Sequence, residues 1–309
     1  MGDPAGIGPK VLLLALTRLK TVPPLTVIGD LLHLKRLSRR LGLSIPWFRM
    51  EWVDLGDLCS GIRAGEVQPR AGRAAFACLK DAVRLLKDGK AQGLVTAPVS
   101  KEAIVRAGIS WKGHTEYLAE QFGCPTTMMF VTGRFRVSLV TTHEALRDVS
   151  DRLTRQEILR ACRHTVQTLR EDFGILRPRV GLAALNPHAG EGGLFGKEEK
   201  LLGSVARALR GKIQGPVSAD SLMEKAARGL YDGVIALYHD QALIPVKLLG
   251  WEKAVNVTLG LPFVRTSPVH GTAFDLAGKG KADSSSMESA IRLAAQLVKK
   301  RNENERPSD

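Results

Sequence analysis

The sequence predicts an α/β protein built from two interleaved lobes. Short apolar runs typical of buried strands alternate with longer segments whose apolar residues have helical spacing. Several predicted strands end abruptly in polar side chains, as in open α/β sheets that bind ligands beyond the carboxyl ends of their strands. The 309 residues contain neither an internal repeat nor a low-complexity linker, which favours interleaved lobes over consecutive beads.

Composition argues against several classes of protein. No apolar run approaches the roughly 20 residues that a membrane helix requires, and no signal peptide opens the chain, so no membrane partner is expected. The four cysteines are scattered and form no CxxC pair, which argues against a thiolate zinc site and a disulfide framework. A reducing, cytoplasmic location is therefore expected.

The formal net charge of +14 is compatible with three interpretations. It could attract nucleic acid, attract small anions, or belong to a solvated basic surface with no role. Lys and Arg are dispersed, and aromatic residues make up 5% of the chain, so no stacking platform accompanies the charge. Nucleic acid is not an expected partner.

The first third of the chain opens on a glycine-rich turn, residues 2–9, which leads into a helical pattern at residues 11–19. Such a turn can point backbone N–H groups at an anion, but it matches neither a Walker A motif nor a GxGxxG fingerprint. An anion-binding loop and a purely structural turn both remain open. The predicted elements that follow are a strand at 26–29, a basic helix through Arg40, a helix at 73–86 and a strand at 93–97.

His114 precedes a helix predicted at residues 117–122, with Thr115 as its N-cap. A histidine at a helix N-terminus suits phosphate binding, and a capping turn with an incidental histidine is the alternative.

The remaining elements follow from apolar runs and capping boxes. The predicted strands are 128–131 and 137–142, joined by a turn at Gly133, then 180–185 and 233–237. The predicted helices run from a Thr154 capping box to about residue 173, from a Ser218 cap over 219–228, and from a Ser285 and Glu288 capping box over 285–300.

Three of these strands end in a histidine: His143, His188 and His239. A single histidine is more often a satisfied side chain than a ligand. Three at the carboxyl ends of strands would converge on one sheet edge or on a cleft between sheets. Three neutral imidazoles leave open positions on a divalent ion, the pattern of a catalytic metal site. From spacing alone, both the metal site and three unrelated histidines stay open.

The stretch that follows the last of these strands concentrates further polar groups. They are Asp240, Lys247, Asn256, Arg265 and His270, which stand in apolar or turn-forming surroundings. So many polar groups within about one βαβ unit are more than a core needs, so a ligand site is expected here.

Seven segments spread over nearly the whole chain stand out: GDPAGIGP (2–9), TAPVSK (96–101), GHTEYLAE (113–120), TTHEALRDVS (141–150), LNPHAGEGG (185–193), YHDQ (238–241) and NVTLGLPFVRTSPVHGTAFDLAGKG (256–280). In this unbroken order they closely resemble the 4-hydroxythreonine-4-phosphate dehydrogenase family of vitamin B6 biosynthesis. Residues 269–279 also resemble the adenosine-binding loop of isocitrate and isopropylmalate dehydrogenases.

The resemblance implies two α/β/α lobes with a cleft between them, like isocitrate and isopropylmalate dehydrogenases. It assigns residues 1–125 with 270–300 to the first lobe and 126–269 to the second, which would hold the metal and the dimer interface; residues 301–309 are expected to be a disordered tail. The implied reaction is oxidation of 4-phosphooxy-L-threonine by NAD, with NADP as the alternative, and decarboxylation to 3-amino-2-oxopropyl phosphate.

The implied roles carry over position by position. His143, His188 and His239 match the family's ligands to one divalent metal, whether Zn, Mg or Co. The matching substrate-binding positions are His114, Thr115, Lys247, Asn256 and Arg265, and the cofactor-binding positions are His270, Gly271, Thr272 and Asp275. Family members are homodimers with active sites at the subunit interface, and His239 would reach the metal of the neighbouring chain.

The implied chemistry explains these residue types. A bound cation lowers the pKa of the substrate hydroxyl and stabilises the alkoxide, and imidazoles hold the ion without neutralising its charge. Arg265 and Lys247 suit carboxylate or phosphate. Lys247, or Asp240 acting through water, is the candidate catalytic base.

Two departures from the family pattern leave alternatives open. Members usually carry a strand before GDPAGIGP and a Glu after it, whereas this chain opens on that motif and has Lys10, so a sheet lacking one strand is expected. Lys10 could mark a subgroup acting on D-threonate or D-erythronate 4-phosphate. The alternative from another class is a basic, non-catalytic anion-binding protein.

Overall fold

The structure is a computed structural model and describes residues 1–19, 21, 23–279 and 282–305. The helices are α1 (Gly8–Arg18), α2 (Leu31–Arg40), α3 (Pro69–Lys87), α4 (Lys101–Arg106), α5 (His114–Phe122), α6 (Val149–Arg152), α7 (Arg155–Glu171), α8 (Glu198–Ala208), α9 (Ala219–Ala227), α10 (His239–Gly250) and α11 (Ser285–Glu305). The strands are β1 (Thr26–Gly29), β2 (Glu51–Asp54), β3 (Gly93–Val95), β4 (Thr127–Thr132), β5 (Phe135–Leu139), β6 (Val180–Ala183), β7 (Gln214–Val217), β8 (Gly233–Ala236), β9 (Val255–Leu259) and β10 (Val264–Pro268). The α/β class is confirmed. Within the described residues, no helix combines the length and apolar character needed to cross a bilayer.

The chain divides into two compact units, each made of two separate stretches. The first unit comprises Met1–Cys124 and Leu261–Ala295, and the second comprises Pro125–Gly260 and Gln296–Asp309. The sequence predicts that the chain re-enters the first lobe at residue 270, whereas in the structure it does so earlier, at Leu261. The return occurs after Gly260, because β10 pairs in parallel with β3 and so belongs to the first unit.

The first unit contains two parallel strand pairs, β1 with β2 and β3 with β10. Its core includes Leu13 and Leu16 from α1 and Leu34 from α2, which are fully buried. Burial of each such side chain contributes about 2 kcal/mol. Helix α3 packs closely on α4, since at Gly72 any side chain would collide with the backbone of Ala103.

The second unit contains six strands in the order β9-β4-β5-β8-β6-β7. Strand β4 is antiparallel to β9 and β5, whereas the pairs β5–β8, β8–β6 and β6–β7 are parallel. The β4–β5 hairpin turns at Gly133, whose φ of 56° requires a residue that tolerates the left-handed region. Strands β6 and β8 are buried along their whole length, which accounts for their unbroken apolar runs.

Of the predicted side-chain caps, that of α7 is confirmed: Thr154 Oγ1 accepts a hydrogen bond from the N–H three residues further on, at 3.3 Å. The two predicted serine caps make no side-chain capping bond: Ser218 occupies the N-cap position of α9, as predicted, whereas Ser285 is already the first residue of α11. Ser218 precedes α9 but donates to Asp220 Oδ1 at 2.7 Å. Ser285 lies within α11 and donates to Asp283 Oδ1 at 2.7 Å.

The C-terminal helix extends further than its polar sequence predicts. Residues 301–305, expected to be disordered, continue α11, while residues 306–309 lie outside the described part of the chain. Arg301 donates through Nε and Nη2 to the carboxylate of Asp172, at 2.7 and 2.9 Å. Asn304 Nδ2 donates to the carbonyl of Glu171 at 2.6 Å. These contacts anchor the helix to the end of α7.

Arg301→Ala is expected to lower the free energy of unfolding by about 2 kcal/mol, because it removes the bidentate partner of a carboxylate that is buried. Urea unfolding followed by circular dichroism measures the change. Lys299→Ala on the same helix is the matched control, since its exposed ammonium lies 4.0 Å from Glu303 and should contribute less than about 0.5 kcal/mol. Equal midpoints for both variants would contradict the anchoring role of Arg301.

Candidate functional site

Three neighbouring parallel strands of the second unit lead to the three histidines. Strand β8 pairs with β5 on one side and with β6 on the other. The chain reaches His143 after β5, His188 after β6 and His239 after β8. Because parallel strands end at the same edge of a sheet, these segments leave the sheet side by side.

Hydrogen bonds connect the three segments just beyond the strands. Thr141 Oγ1 donates to the carbonyl of Leu237 at 2.7 Å. The Leu237 N–H donates to Gln241 Oε1 at 2.7 Å, and Gln241 Nε2 donates to the carbonyl of Ala184 at 2.9 Å. Gln241 was not among the predicted site residues. The sequence feature that could have identified it is an amide side chain, which both donates and accepts hydrogen bonds, two positions after a histidine at a strand end.

The imidazoles of His143 and His239 lie close together, with ring centroids 5.9 Å apart. Zinc–nitrogen bonds of 2.0–2.1 Å put the centroids of two imidazoles on one tetrahedral ion about 5 Å apart, so this pair is near ligand spacing. His239 Nδ1 lies 2.7 Å from Asp240 Oδ1. A carboxylate can only accept, so Nδ1 donates in this bond; in the neutral imidazole the lone pair is then on Nε2. Within one chain the His239 ring thus lies beside that of His143. That His239 serves the metal of the neighbouring chain stays a prediction.

His188 lies in an unusual loop, residues 187–193. Six successive residues have positive φ: His188 53°, Ala189 55°, Gly190 76°, Glu191 40°, Gly192 70° and Gly193 112°. Each non-glycine residue in this region costs about 1–2 kcal/mol, so contacts from outside the loop must hold it.

The His188 side chain is 73% exposed, and its Nδ1 lies 3.2 Å from Glu191 Oε1. Within the part of the chain that the structure describes, no three His, Cys, Asp or Glu side chains are placed to hold a metal ion together. One chain thus brings together two of the predicted ligands and presents the third on an exposed loop.

Arg265 and His114 form a cationic and aromatic group in the first unit. Arg265 is buried on β10, and its Nη2 donates to Thr96 Oγ1 at 2.6 Å. Burial lowers the pKa of this guanidinium to about 10, and the Glu116 carboxylate partly opposes that effect. A buried arginine beside a helix N-terminus is well suited to an anionic group.

His114 is the first residue of α5, and Gly113 precedes it, so the predicted N-cap at Thr115 is wrong. The His114 ring packs edge-on against Trp111, with centroids 5.3 Å apart. Burial lowers its pKa to about 3, and the charge of Arg265 acts in the same direction. The imidazole is therefore neutral at pH 7 and can donate or accept one hydrogen bond.

Lys247 and Asn256 both lie in the second unit. Lys247, on α10, is exposed, and its Nζ lies 5.0 Å from the ring centroid of Trp251. Asn256 lies on β9, and its Oδ1 is buried without a hydrogen-bond partner among the described residues. Such an acceptor is available to a donor on a ligand.

The predicted cofactor residues His270, Gly271, Thr272 and Asp275 lie in the loop after β10. The Thr272 carbonyl accepts a hydrogen bond from the N–H of Ile7 at 2.9 Å, so the glycine-rich turn supports this loop.

Three backbone N–H groups of the turn already donate hydrogen bonds within the protein. The Asp3 N–H donates to the Pro98 carbonyl at 2.9 Å and the Ala5 N–H to Asp3 Oδ1 at 2.8 Å, while the Gly6 N–H donates to the Asp3 carbonyl at 3.1 Å. Of the two interpretations of residues 2–9, these bonds favour the structural turn.

Comparisons with known proteins identify the relatives of this chain. The sequence model of the family described as "Pyridoxal phosphate biosynthetic protein PdxA" matches residues 32–294. A 4-hydroxythreonine-4-phosphate dehydrogenase of Beijerinckia indica is 41% identical, over 96% of this chain and 93% of its own length. A D-threonate 4-phosphate dehydrogenase of Cupriavidus necator is also 41% identical, over 97% of this chain and 96% of its own length.

Solved structures agree with the fold expected from the sequence. The crystal structure of 4-hydroxythreonine-4-phosphate dehydrogenase from Klebsiella pneumoniae is similar, with a TM-score of 0.87 and 38% identity over 96% of both chains. Isocitrate dehydrogenase from Methylococcus capsulatus has a TM-score of 0.52 at 14% identity, over 97% of this chain and 85% of its own. The expected likeness to the isocitrate dehydrogenase fold is confirmed.

The lowered pKa of His114 is expected to make the stability of the folded protein depend on pH in the acid range. Between pH 6.5, its ordinary pKa, and about 3, its folded pKa, the unfolded chain binds more protons than the folded chain. Stability from this group is complete above pH 6.5 and is lost as the pH falls toward 3. When the pH is lowered from 6.5 to 4.5, the melting temperature of His114→Gln should therefore fall by less than that of the parent protein. Parallel curves for the two proteins in thermal unfolding would contradict a neutral His114.

Proposed function

The chain belongs to the family of the pyridoxal phosphate biosynthetic protein PdxA, and from this premise we propose that it is an NAD-dependent dehydrogenase of 4-phosphooxy-L-threonine. The secondary alcohol loses a hydride to the nicotinamide and a proton to a base, giving a β-keto acid. Loss of CO2 and protonation of the resulting enolate leave 3-amino-2-oxopropyl phosphate, for pyridoxal phosphate biosynthesis. The observation that carries the proposal is the family match over residues 32–294, which spans all three histidine-bearing strand ends.

The substrate is an anion at both ends, and each unit offers groups that suit it. Arg265, His114 and Thr115 of the first unit are proposed to take phosphate or carboxylate oxygens, because a buried guanidinium and a helix N-terminus both favour negative charge. Lys247 and Asn256 of the second unit are the other proposed substrate-binding residues, through an ammonium and an amide.

His143, His188 and His239 are proposed to hold one divalent ion, zinc, magnesium or cobalt. The donor set fits: two imidazoles lie near ligand spacing, and a third follows the adjacent strand. Such an ion, when bound, lowers the pKa of the substrate hydroxyl and stabilises negative charge on its oxygen. Asp240 holds the His239 ring in the tautomer that leaves Nε2 available.

The proton acceptor is proposed to be Lys247. Asp240, the other candidate, is hydrogen-bonded to the His239 ring and has an orienting role there. The nicotinamide cofactor, NAD or alternatively NADP, is proposed to bind through His270, Gly271, Thr272 and Asp275. The glycine-rich turn would hold that loop in place through the bond between Ile7 and Thr272. A cytoplasmic location is proposed from the scattered cysteines.

A second candidate substrate is D-threonate or D-erythronate 4-phosphate. The Cupriavidus necator relative carries the first of these names at the same 41% identity as the Beijerinckia indica relative. A non-catalytic anion-binding protein is the alternative from another class, and the intact set of histidines with Lys247, Asn256 and Arg265 weighs against it.

A homodimer is proposed from exposed apolar side chains that flank each histidine segment. Leu146 follows His143 along the chain, and Leu194 and Phe195 follow the loop of His188. Ile244 and Leu248, the latter 82% exposed, lie on the helix that begins at the third histidine. Large apolar side chains concentrated beside a polar site are typical of a surface that another subunit covers. The active site would then lie at the subunit interface, as the family resemblance implies.

The substrate is identified by measuring NADH production with Zn2+ or Mg2+ on 4-phosphooxy-L-threonine, D-threonate 4-phosphate and D-erythronate 4-phosphate in parallel. We expect the first to give the highest kcat/KM. His188→Ala should lower that value by about 10³-fold or more while the dimer stays folded, because a metal ligand is lost. No NADH from any of the three substrates would favour the binding protein, and near-normal activity of His188→Ala would refute the metal assignment.

Leu248→Asp is expected to shift the protein from dimer to monomer, because it places a carboxylate on the apolar surface. Size-exclusion chromatography with light scattering measures the mass. Leu176→Asp, at a leucine that is 81% exposed and outside the histidine segments, is the matched control and should remain dimeric. A monomeric parent, or a Leu248→Asp variant that stays dimeric, would contradict the proposed interface.

A further inference from the structure

The His188 loop is held from outside by a carboxylate on α8. Glu199 Oε1 accepts hydrogen bonds from the backbone N–H groups of Leu185 and Asn186, at 3.2 and 2.9 Å. The Asn186 amide Nδ2 also donates to both oxygens of this carboxylate, at 3.2 and 3.1 Å. Glu199 therefore binds the two residues through which the chain leaves β6 and enters the loop.

The same carboxylate contacts the middle of the loop. A Cβ added at Gly190 would lie 2.9 Å from Glu199 Oε2, closer than real Cβ atoms approach. The loop backbone thus rests directly on the carboxylate at Gly190 and is tied to it at Asn186. His188 lies between these two points, on a backbone whose strained conformation needs such support.

Glu199 acts differently from its neighbour Glu198, although both belong to the first turn of α8. Glu198 accepts from the N–H of Lys197 at 2.9 Å, from Ser150 Oγ at 2.6 Å and from Asn186 Nδ2 at 3.0 Å. It therefore shares the Asn186 side chain with Glu199, but the backbone N–H groups of Leu185 and Asn186 donate to Glu199. The hydrogen bonds described for Glu199 all go to the chain that leads into the His188 loop. A carboxylate placed only to complement the helix dipole would not need this geometry.

We propose that Glu199 is a positioning residue for His188. Through Leu185, Asn186 and Gly190 it holds the left-handed loop so that the exposed imidazole faces the edge of the sheet where the chain reaches His143 and His239. This inference rests on the proposed role of the three histidines as metal ligands. Partners one step beyond the ligands typically change metal affinity 10- to 100-fold when they are removed.

The test is the affinity of the purified full-length protein for Co2+, followed by its visible absorption and by isothermal titration. Glu199→Gln keeps the shape of the side chain but removes its charge and one of its two acceptor oxygens, so an NH2 group meets either the backbone donors or Asn186 Nδ2. We expect it to raise the Kd for Co2+ about 10- to 100-fold. Glu224→Gln, at an exposed glutamate of α9 paired with Arg228, is the matched control and should bind as the parent does.

A double variant separates positioning from general damage. If Glu199 acts through His188, then adding Glu199→Gln to His188→Ala should cause no further loss of affinity. Gly190→Ala provides a second way to displace the loop while keeping Glu199, and it should weaken Co2+ binding in the same direction. It also carries the test if Glu199→Gln fails to fold by far-UV circular dichroism.

Unchanged Co2+ affinity in Glu199→Gln, or losses that add in the double variant, would overturn the positioning role alone. A parent protein whose Co2+ binding is absent, or is unaffected by His188→Ala, would overturn the proposed metal site as well. The two failures are therefore distinguishable in the same set of titrations.

Discussion

The hydrogen bonds from Thr141 to Leu237, from Leu237 to Gln241 and from Gln241 to Ala184 are the constraint on which the candidate site depends. Just beyond the strand ends, side chains hydrogen-bond to backbone groups of the neighbouring segments; the Leu237 carbonyl accepts from both the N–H and the hydroxyl of Thr141. A single amide thereby fixes the spacing between two strand ends, and a hydroxyl fixes the third. The segments that carry the three histidines therefore start from residues that are hydrogen-bonded to one another.

The candidate residues of the two units differ in charge. In the second unit, the His239 imidazole lies beside that of His143 and is hydrogen-bonded through Nδ1 to the Asp240 carboxylate. In the first unit, Arg265 is buried with its charge, and that charge helps keep His114 neutral.

Much of the fold and part of the site follow from the sequence alone. Strands β6 and β8 are predictable because parallel strands buried on both faces appear as unbroken apolar runs. Strand β10 is not predictable from its residues, VRTSP, since its polar side chains are buried only because distant partners satisfy them. Arg265 donates to Thr96, and Thr266 donates to the carbonyl of Ala290 at 2.9 Å.

The histidines are predictable from their positions after strands, whereas the residues that support them are not. Glu199 lies in a helix that follows the loop, and its contacts depend on a left-handed backbone that no propensity scale anticipates. The helix start at His114 rather than after Thr115 is a smaller failure of the same kind, because glycine precedes the helix without a side-chain cap. The local sequence pattern therefore predicts the candidate ligands, whereas the residues that support them become visible only through tertiary contacts.

The division of the chain has a consequence for how the protein is made. Pro125–Gly260 is a continuous stretch that contains every strand of the second unit. Met1–Cys124 is synthesised earlier, yet β3 must wait for β10, which emerges more than a hundred residues later. The first unit therefore completes its β3–β10 pair only after all strands of the second unit have been synthesised.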